Sequence, residues 1–180
     1  MNPIAPCLIL LDCQMDQVQP PDGKIDPENQ AVIKRIETLL QHARHKGWTV
    51  CHSQLAPERG EPARVPIKSL RPTTRETVFV RPGLSAFSDP YFHQILARSA
   101  GTPCLLIGFS APFAMLATVF DAQTRGQELT VVPDAVGSLA VEPRNVAETR
   151  SMSFDLIGRL SPTLDWSEVE RSWLSDLAPA

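Results

Sequence analysis

PCLLIGFSAPFAMLATVFDA, residues 103–122, decides the fold. Cys104 to Ile107 is a continuous apolar run, the pattern of a strand covered on both faces, and Gly108 closes it. A helical pattern then runs from Phe113 to about Arg125, with Gly126 as its cap. Strand, turn and helix in this order form one unit of an alternating α/β chain.

The same alternation extends in both directions. CLILLD, residues 7–12, is another short apolar run, and its acidic end belongs at the carboxyl edge of a sheet. Asp26 and Pro27 supply an N-cap and a first-turn proline. Val32, Ile33, Ile36, Leu39, Leu40 and Ala43 follow at helical spacing until Gly47. WTVCHS (48–53), TVFVR (77–81) and ELTVVPDA (128–135) read as strands. PYFHQILARSAG (90–101), Val146 to Leu160 and SEVERSWLSDL (167–177) read as helices. Ala56 to Arg75, rich in Pro, Arg and Glu, is a long loop of the kind a compact domain keeps for function or assembly. The expected architecture over residues 1–180 is one three-layer α/β/α domain with a doubly wound parallel sheet. In such sheets ligands gather at the carboxyl ends of the strands.

Composition narrows the function classes. The chain has 180 residues, 43% hydrophobic, with 17 Lys and Arg against 20 Asp and Glu, for a net charge of -3. That is enough apolar content for one core, and no basic excess suits a nucleic-acid surface. The apolar run from Leu8 to Leu11 has no basic residues before it, and no segment approaches the length of a membrane span. Neither nucleic acid nor membrane is expected as a partner. Cys7, Cys13, Cys51 and Cys104 are scattered, three of them within apolar runs, which favours reduced core thiols and a cytoplasmic setting. His42, His45 and His93 fall on helices, and with His52 they read as solvated or satisfied surface histidines rather than metal ligands.

Asp12, Arg81 and the turn at Gly108 each stand at or just beyond the carboxyl end of a strand, so the fold brings them together. Two readings follow. The carboxylate can serve as a general acid or base beside a guanidinium that grips an anion, or the two can form a structural ion pair.

LILLDCQMD (8–16), VFVRPGLSAF (78–87) and the stretch from Ile107 to Ser138, taken in order, resemble the three signature regions of the isochorismatase-like cysteine hydrolases. The specific marks are Asp12 with Gln14, Ser85-Ala86-Phe87, and Gly108 with Thr118, Asp121 and Ala122. The resemblance implies about six parallel strands flanked by helices. It also implies an Asp, Lys and Cys triad that hydrolyses amides through an acyl-enzyme. Asp12 falls on the acid or base. The lysine position holds Arg81, whose guanidinium orients but does not shuttle protons, and the cysteine position holds Ala114, which has no nucleophile. Cys13 points away from Asp12 if both lie on one strand, and Ser110 lacks an adjacent base. The resemblance further implies an oxyanion hole from the amides of Ser110 and Ala114, with a cis peptide at Phe109–Ser110.

The isochorismatases within the family carry glycine at the position of Ala114 and cleave a vinyl ether with the aspartate as general acid. Gln54 corresponds there to a substrate-binding glutamine. The zinc-binding nicotinamidases use histidines that SQLAPERGEP does not supply, so neither a metal nor another cofactor is expected. Two functions are therefore weighed. One is Asp12-dependent hydrolysis of a small anionic molecule. The other is a pseudoenzyme that serves binding or assembly, its pocket filled by Arg81 and Phe113. Family members are commonly dimers or tetramers, and Trp166 and Trp173 can pack on a neighbour or back on their own domain.

Overall fold

The computed structural model describes residues 5–20 and 23–174. Its sheet contains β1 (Cys7–Leu11), β2 (Thr49–Leu55), β3 (Thr77–Arg81), β4 (Cys104–Gly108) and β5 (Thr130–Val136), in the order β3-β2-β1-β4-β5. All four pairings are parallel. The chain winds outward from β1 to β3 and then crosses to β4, so the switch point lies between β1 and β4. A crevice for ligands forms at such points. Asp12 and Gly108 stand there.

Every residue of β1 is buried, which is why it reads as an unbroken apolar run rather than an alternating one. Cys7, Ile9 and Leu11 join one core cluster, while Leu8, Leu10 and Cys13 join the other. α1 (Pro27–Lys46) covers the second face, packing on β2 and β5. Asp26 caps it by accepting from the Glu28 amide (2.9 Å), and Gly47 ends it at φ 67°. Val32, Ile36, Leu39 and Leu40 are fully buried, and each contributes about 1.5–3 kcal/mol relative to exposure. α2 (Phe92–Arg98), shorter than its sequence pattern, and α3 (Leu116–Thr124) lie on the first face with α4 (Val146–Leu160). A reciprocal capping box between Asn145 and Glu148 starts α4 where the sequence places it.

Three expectations change. Among the described residues the sheet has five strands rather than about six. The sixth is reduced to a single bridge, Val131 to Thr163, with the Val131 amide donating to Pro162 and the Leu164 amide to Val131. Pro162 has no N–H to extend the ladder and α5 (Trp166–Val169) begins three residues after Thr163. The helix expected from Phe113 opens instead with a π-helical turn, Ala111–Met115, in which the Met115 amide reaches the Ser110 carbonyl five residues back (3.1 Å). Of the two packings left open for the C-terminal stretch, its described part takes its own domain: Val169 and Leu174 are buried, and Trp173 meets Trp48 edge-on at 6.1 Å. Residues 175–177 of that expected helix lie outside the described residues. His42 also departs from expectation, being buried on the inner face of α1 against Trp48. No described helix is long and apolar enough to cross a membrane.

Candidate active site and its closed ion pair

Asp12 follows β1 in a left-handed backbone conformation (φ 50°), uncommon for a residue with a Cβ. Its amide donates to the Ser53 carbonyl (2.9 Å). Arg81 ends β3 and reaches across the end of β2 toward it. Its Nη1 and Nη2 each donate to one Asp12 carboxylate oxygen at 2.7 Å. Nη1 also donates to the Ser53 carbonyl (3.1 Å) and Nε to the Leu84 carbonyl (3.0 Å). Asp12 Oδ1 accepts a further bond from the Leu55 amide (3.1 Å). This is the two-pronged guanidinium–carboxylate geometry that gives the strongest charge-assisted pairs. Arg81 is 0% exposed and Asp12 1%.

Gln14 has a structural task. Its Oε1 accepts from the Leu55 amide (3.1 Å) and its Nε2 donates to the Leu55 carbonyl (3.2 Å). Both polar residues of the Asp12–Gln14 motif therefore hold the end of β2. Gln54 is half-buried on that strand. Ser53, beside it, is the residue whose hydroxyl faces Arg81. Successive strand residues point to opposite faces, so Gln54 is not brought to the ion pair.

Ala114 is fully buried. Its amide donates to Ser110 Oγ (3.3 Å), so this expected oxyanion donor already has a partner within the turn. Ser110 sits at φ 64°, and this left-handed residue shapes the turn in place of the expected cis Phe109–Ser110 peptide. Among the described residues the cis peptide is Glu142–Pro143. Phe109 is buried, and its amide donates to the Leu11 carbonyl (2.9 Å). The Ala114 carbonyl accepts from Thr118 Oγ1 (2.7 Å), which itself accepts from the Ala86 amide (3.0 Å). Thr118 thereby ties the loop after β3 to the Ala114 turn.

Gly108 explains why the turn cannot move away from β1. A Cβ there would lie 2.0 Å from the Leu11 carbonyl oxygen, and the residue has φ 130°. No other residue type fits without moving β4.

Cys13 is buried on the far face, with Leu8 and Leu10. Burial first, and then the Asp12 charge, push its thiol well above the usual range, so it packs rather than reacts. At the opposite, amino edge of the sheet His52 Nε2 lies 2.9 Å from Glu76, which stands just before β3 and also binds Arg44 Nε at 2.7 Å. Burial pushes the Glu76 carboxyl up, but Arg44, the Thr73 amide and His52 outweigh it and hold it at about 2. Burial lowers His52, against the opposing pull of Glu76. Among the described residues, no group of three or more His, Cys, Asp or Glu is placed to hold a metal ion.

Phe113 does not fill the pocket. It is 51% exposed and, with Leu84, Leu116, Phe120 and Leu156, lines an open groove of about 610 Å³ beside the Ala114 turn. Leu84, Phe120 and Leu156 are 50%, 57% and 45% exposed. Asp121 and Arg159 also line the groove, and neither makes an ion pair among the described residues. The sequence carried a signal for this surface: Phe113, Leu116 and Phe120 form a second apolar stripe on a segment whose other face, Met115, Thr118, Val119 and Ala122, is already buried.

A doubly wound parallel sheet with an aspartate, a basic residue and a strand-to-helix turn at one carboxyl edge has the layout of an isochorismatase-like hydrolase domain. Residues 6–163 match the isochorismatase domain family, and the chain belongs to that family. An isochorismatase from Pseudomonas putida is 21% identical, with a TM-score of 0.77 over 89% of this chain and 88% of that one. A cysteine hydrolase from Pseudomonas syringae is 16% identical, with a TM-score of 0.81 over 97% and 95%. An isochorismatase-like hydrolase from Alkaliphilus metalliredigens is 15% identical, with a TM-score of 0.78 over 94% and 99%. Among curated proteins, no sequence matches.

Proposed function

We propose that this chain is a pseudoenzyme of the isochorismatase family, acting as an assembly module that joins a second copy of itself through the groove beside the Ala114 turn. One observation carries the loss of catalysis: the Arg81 guanidinium occupies both oxygens of Asp12 in the interior. A general acid must present a proton to a substrate atom within hydrogen-bond reach. Asp12 instead faces a permanent cation, and the methyl group of Ala114 supplies no nucleophile.

The other reading, Asp12-dependent hydrolysis of a small anionic molecule such as a vinyl ether, requires the pair to separate and the interior to open. The retained placement of Asp12 at the switch point is what favours it. The two readings divide cleanly. Under the pseudoenzyme reading, small amides and vinyl ethers are turned over no faster by the native chain than by D12N. Turnover that D12N abolishes overturns it.

Self-association is supported by the groove's apolar, half-exposed walls and by its two charges. A two-fold axis places the same patch on both partners, and the self-complementary pairing sets Asp121 of one copy against Arg159 of the other, both being groove-lining residues. Single exposed apolar residues are ordinary, but a contiguous patch of this kind marks an interaction surface. Phe113→Glu puts a charge at the centre of that contact twice per dimer, and sedimentation should show at least about a tenfold weaker association. A native chain that sediments as a monomer at high micromolar concentration refutes the assembly reading.

A further inference from the structure

At the opposite edge of the sheet from Asp12, three thiols meet. Cys7 on β1 pairs in register with Cys104 on β4, while Cys51 on β2 pairs with Ile9, two residues further along. All three belong to the same core cluster, so their side chains share one face of the sheet. The Cys104 thiol donates to the Thr102 carbonyl (3.9 Å), two residues back along the chain. All are reduced, and they are not placed to hold a metal ion.

We propose that Cys7 and Cys104 form an oxidation site, joined reversibly into a disulfide by hydrogen peroxide and reopened by a dithiol. Neighbouring strands lie about 4.7–4.9 Å apart, inside the Cα separation of about 4.4–6.8 Å that a disulfide spans. Cys51 is offset by two residues from the position opposite Cys7, which makes Cys104 the partner in register. Cys104 also lines a cavity at the sheet edge with Gly101, Thr102 and Pro103, giving a small peroxide a way in. It is 7% exposed, against 1% for Cys7.

The chemistry balances with peroxide as the oxidant. The Cys7 thiolate attacks one peroxide oxygen, the O–O bond breaks, and hydroxide leaves and takes up a proton. The Cys104 thiol then attacks the Cys7 sulfenic acid, forming the S–S bond and releasing a second water. Two thiols lose two electrons in total, and one peroxide becomes two waters. The neighbouring Cys104 and then Cys51 thiols outweigh burial and hold the Cys7 thiol below its ordinary range, while the neighbouring Cys7 and burial raise Cys104.

The test treats the native, folded chain with hydrogen peroxide and maps the non-reduced digest by mass spectrometry. The expected product is a Cys7–Cys104 cross-linked peptide that dithiothreitol removes, that persists in C51A and that is lost in C7A and in C104A. Far-UV circular dichroism of each variant confirms that it is folded. A Cys7–Cys51 link in its place, sulfinic acid without any cross-link, or a cross-link formed only after unfolding in urea overturns the proposal. So does a cross-link that survives the reductant.

Discussion

Replacing Arg81 with Met keeps the length and apolar stem of the side chain and removes the guanidinium. Asp12 Oδ2 then loses its one donor among the described residues, and Oδ1 keeps only the Leu55 amide. Breaking a buried ion pair by removing one partner costs about 3–5 kcal/mol, because an uncompensated charge remains in the interior. The carbonyls of Ser53 and Leu84 also lose their guanidinium donors. Against a typical total stability of about 5–15 kcal/mol this is a large fraction. R81M should therefore lower the urea midpoint strongly at neutral pH. The double variant R81M/D12N should be less destabilised than the sum of the two single changes by about 2–3 kcal/mol, since no charge is then left unpaired. The contrast is Arg64→Ala, which removes a more exposed pair with Asp16 and should cost about 0.2–1 kcal/mol. An R81M cost below about 1 kcal/mol, or strict additivity in the double variant, refutes the view of this pair as a structural element.

Gly108→Ala drives a methyl group to 2.0 Å from the Leu11 carbonyl oxygen and should cost about 3 kcal/mol or more by urea denaturation; a cost below about 1 kcal/mol contradicts the close packing of β4 on β1. The Glu76 cluster governs acid stability. Glu76 is depressed from its ordinary 4.5 to about 2, so its contribution is complete above 4.5 and is lost as pH falls toward 2. His52 is also depressed from 6.5, so its contribution is complete above that value and is lost on acidification as well. Glu76→Gln should lower stability near pH 7 by up to about 3 kcal/mol and flatten the fall between 4.5 and 2. Urea midpoints measured at stepped pH check this, and an unchanged slope over that window removes Glu76 from the account.

How much of this was legible in the sequence depends on the range of the forces involved. β1 and β4 were readable because strands buried on both faces need continuous apolar runs, and α1 because Asp26, Pro27 and Gly47 punctuate it locally. The meeting of Asp12 with Arg81 followed from parallel topology. Whether that meeting is an open site or a closed pair did not, because the answer rests on where the guanidinium's three nitrogens find oxygens. Those come from Asp12, Ser53 and Leu84, on three separate segments. The π-helical turn was missed for a similar reason: Ser110 closes it through a side-chain bond to the Ala114 amide, while periodicity reports only on regular helix. Phe113 reads as pocket filling from its place one residue before Ala114. The extra turn residue points it outward, where it is half exposed.

The central claim is that the position of the family's nucleophile is closed. Ala114→Cys restores a thiol there, and iodoacetamide labelling of the folded variant, mapped by mass spectrometry, reads its accessibility directly. Cys13 and Cys51, both buried and outside the proposed oxidation pair, serve as internal references. The account predicts that the introduced thiol is labelled as slowly as they are while Arg81 is in place, and rapidly only after unfolding in urea. Fast labelling of the native fold, at a rate approaching that of the unfolded chain, would show an open site at Ala114 and contradict it.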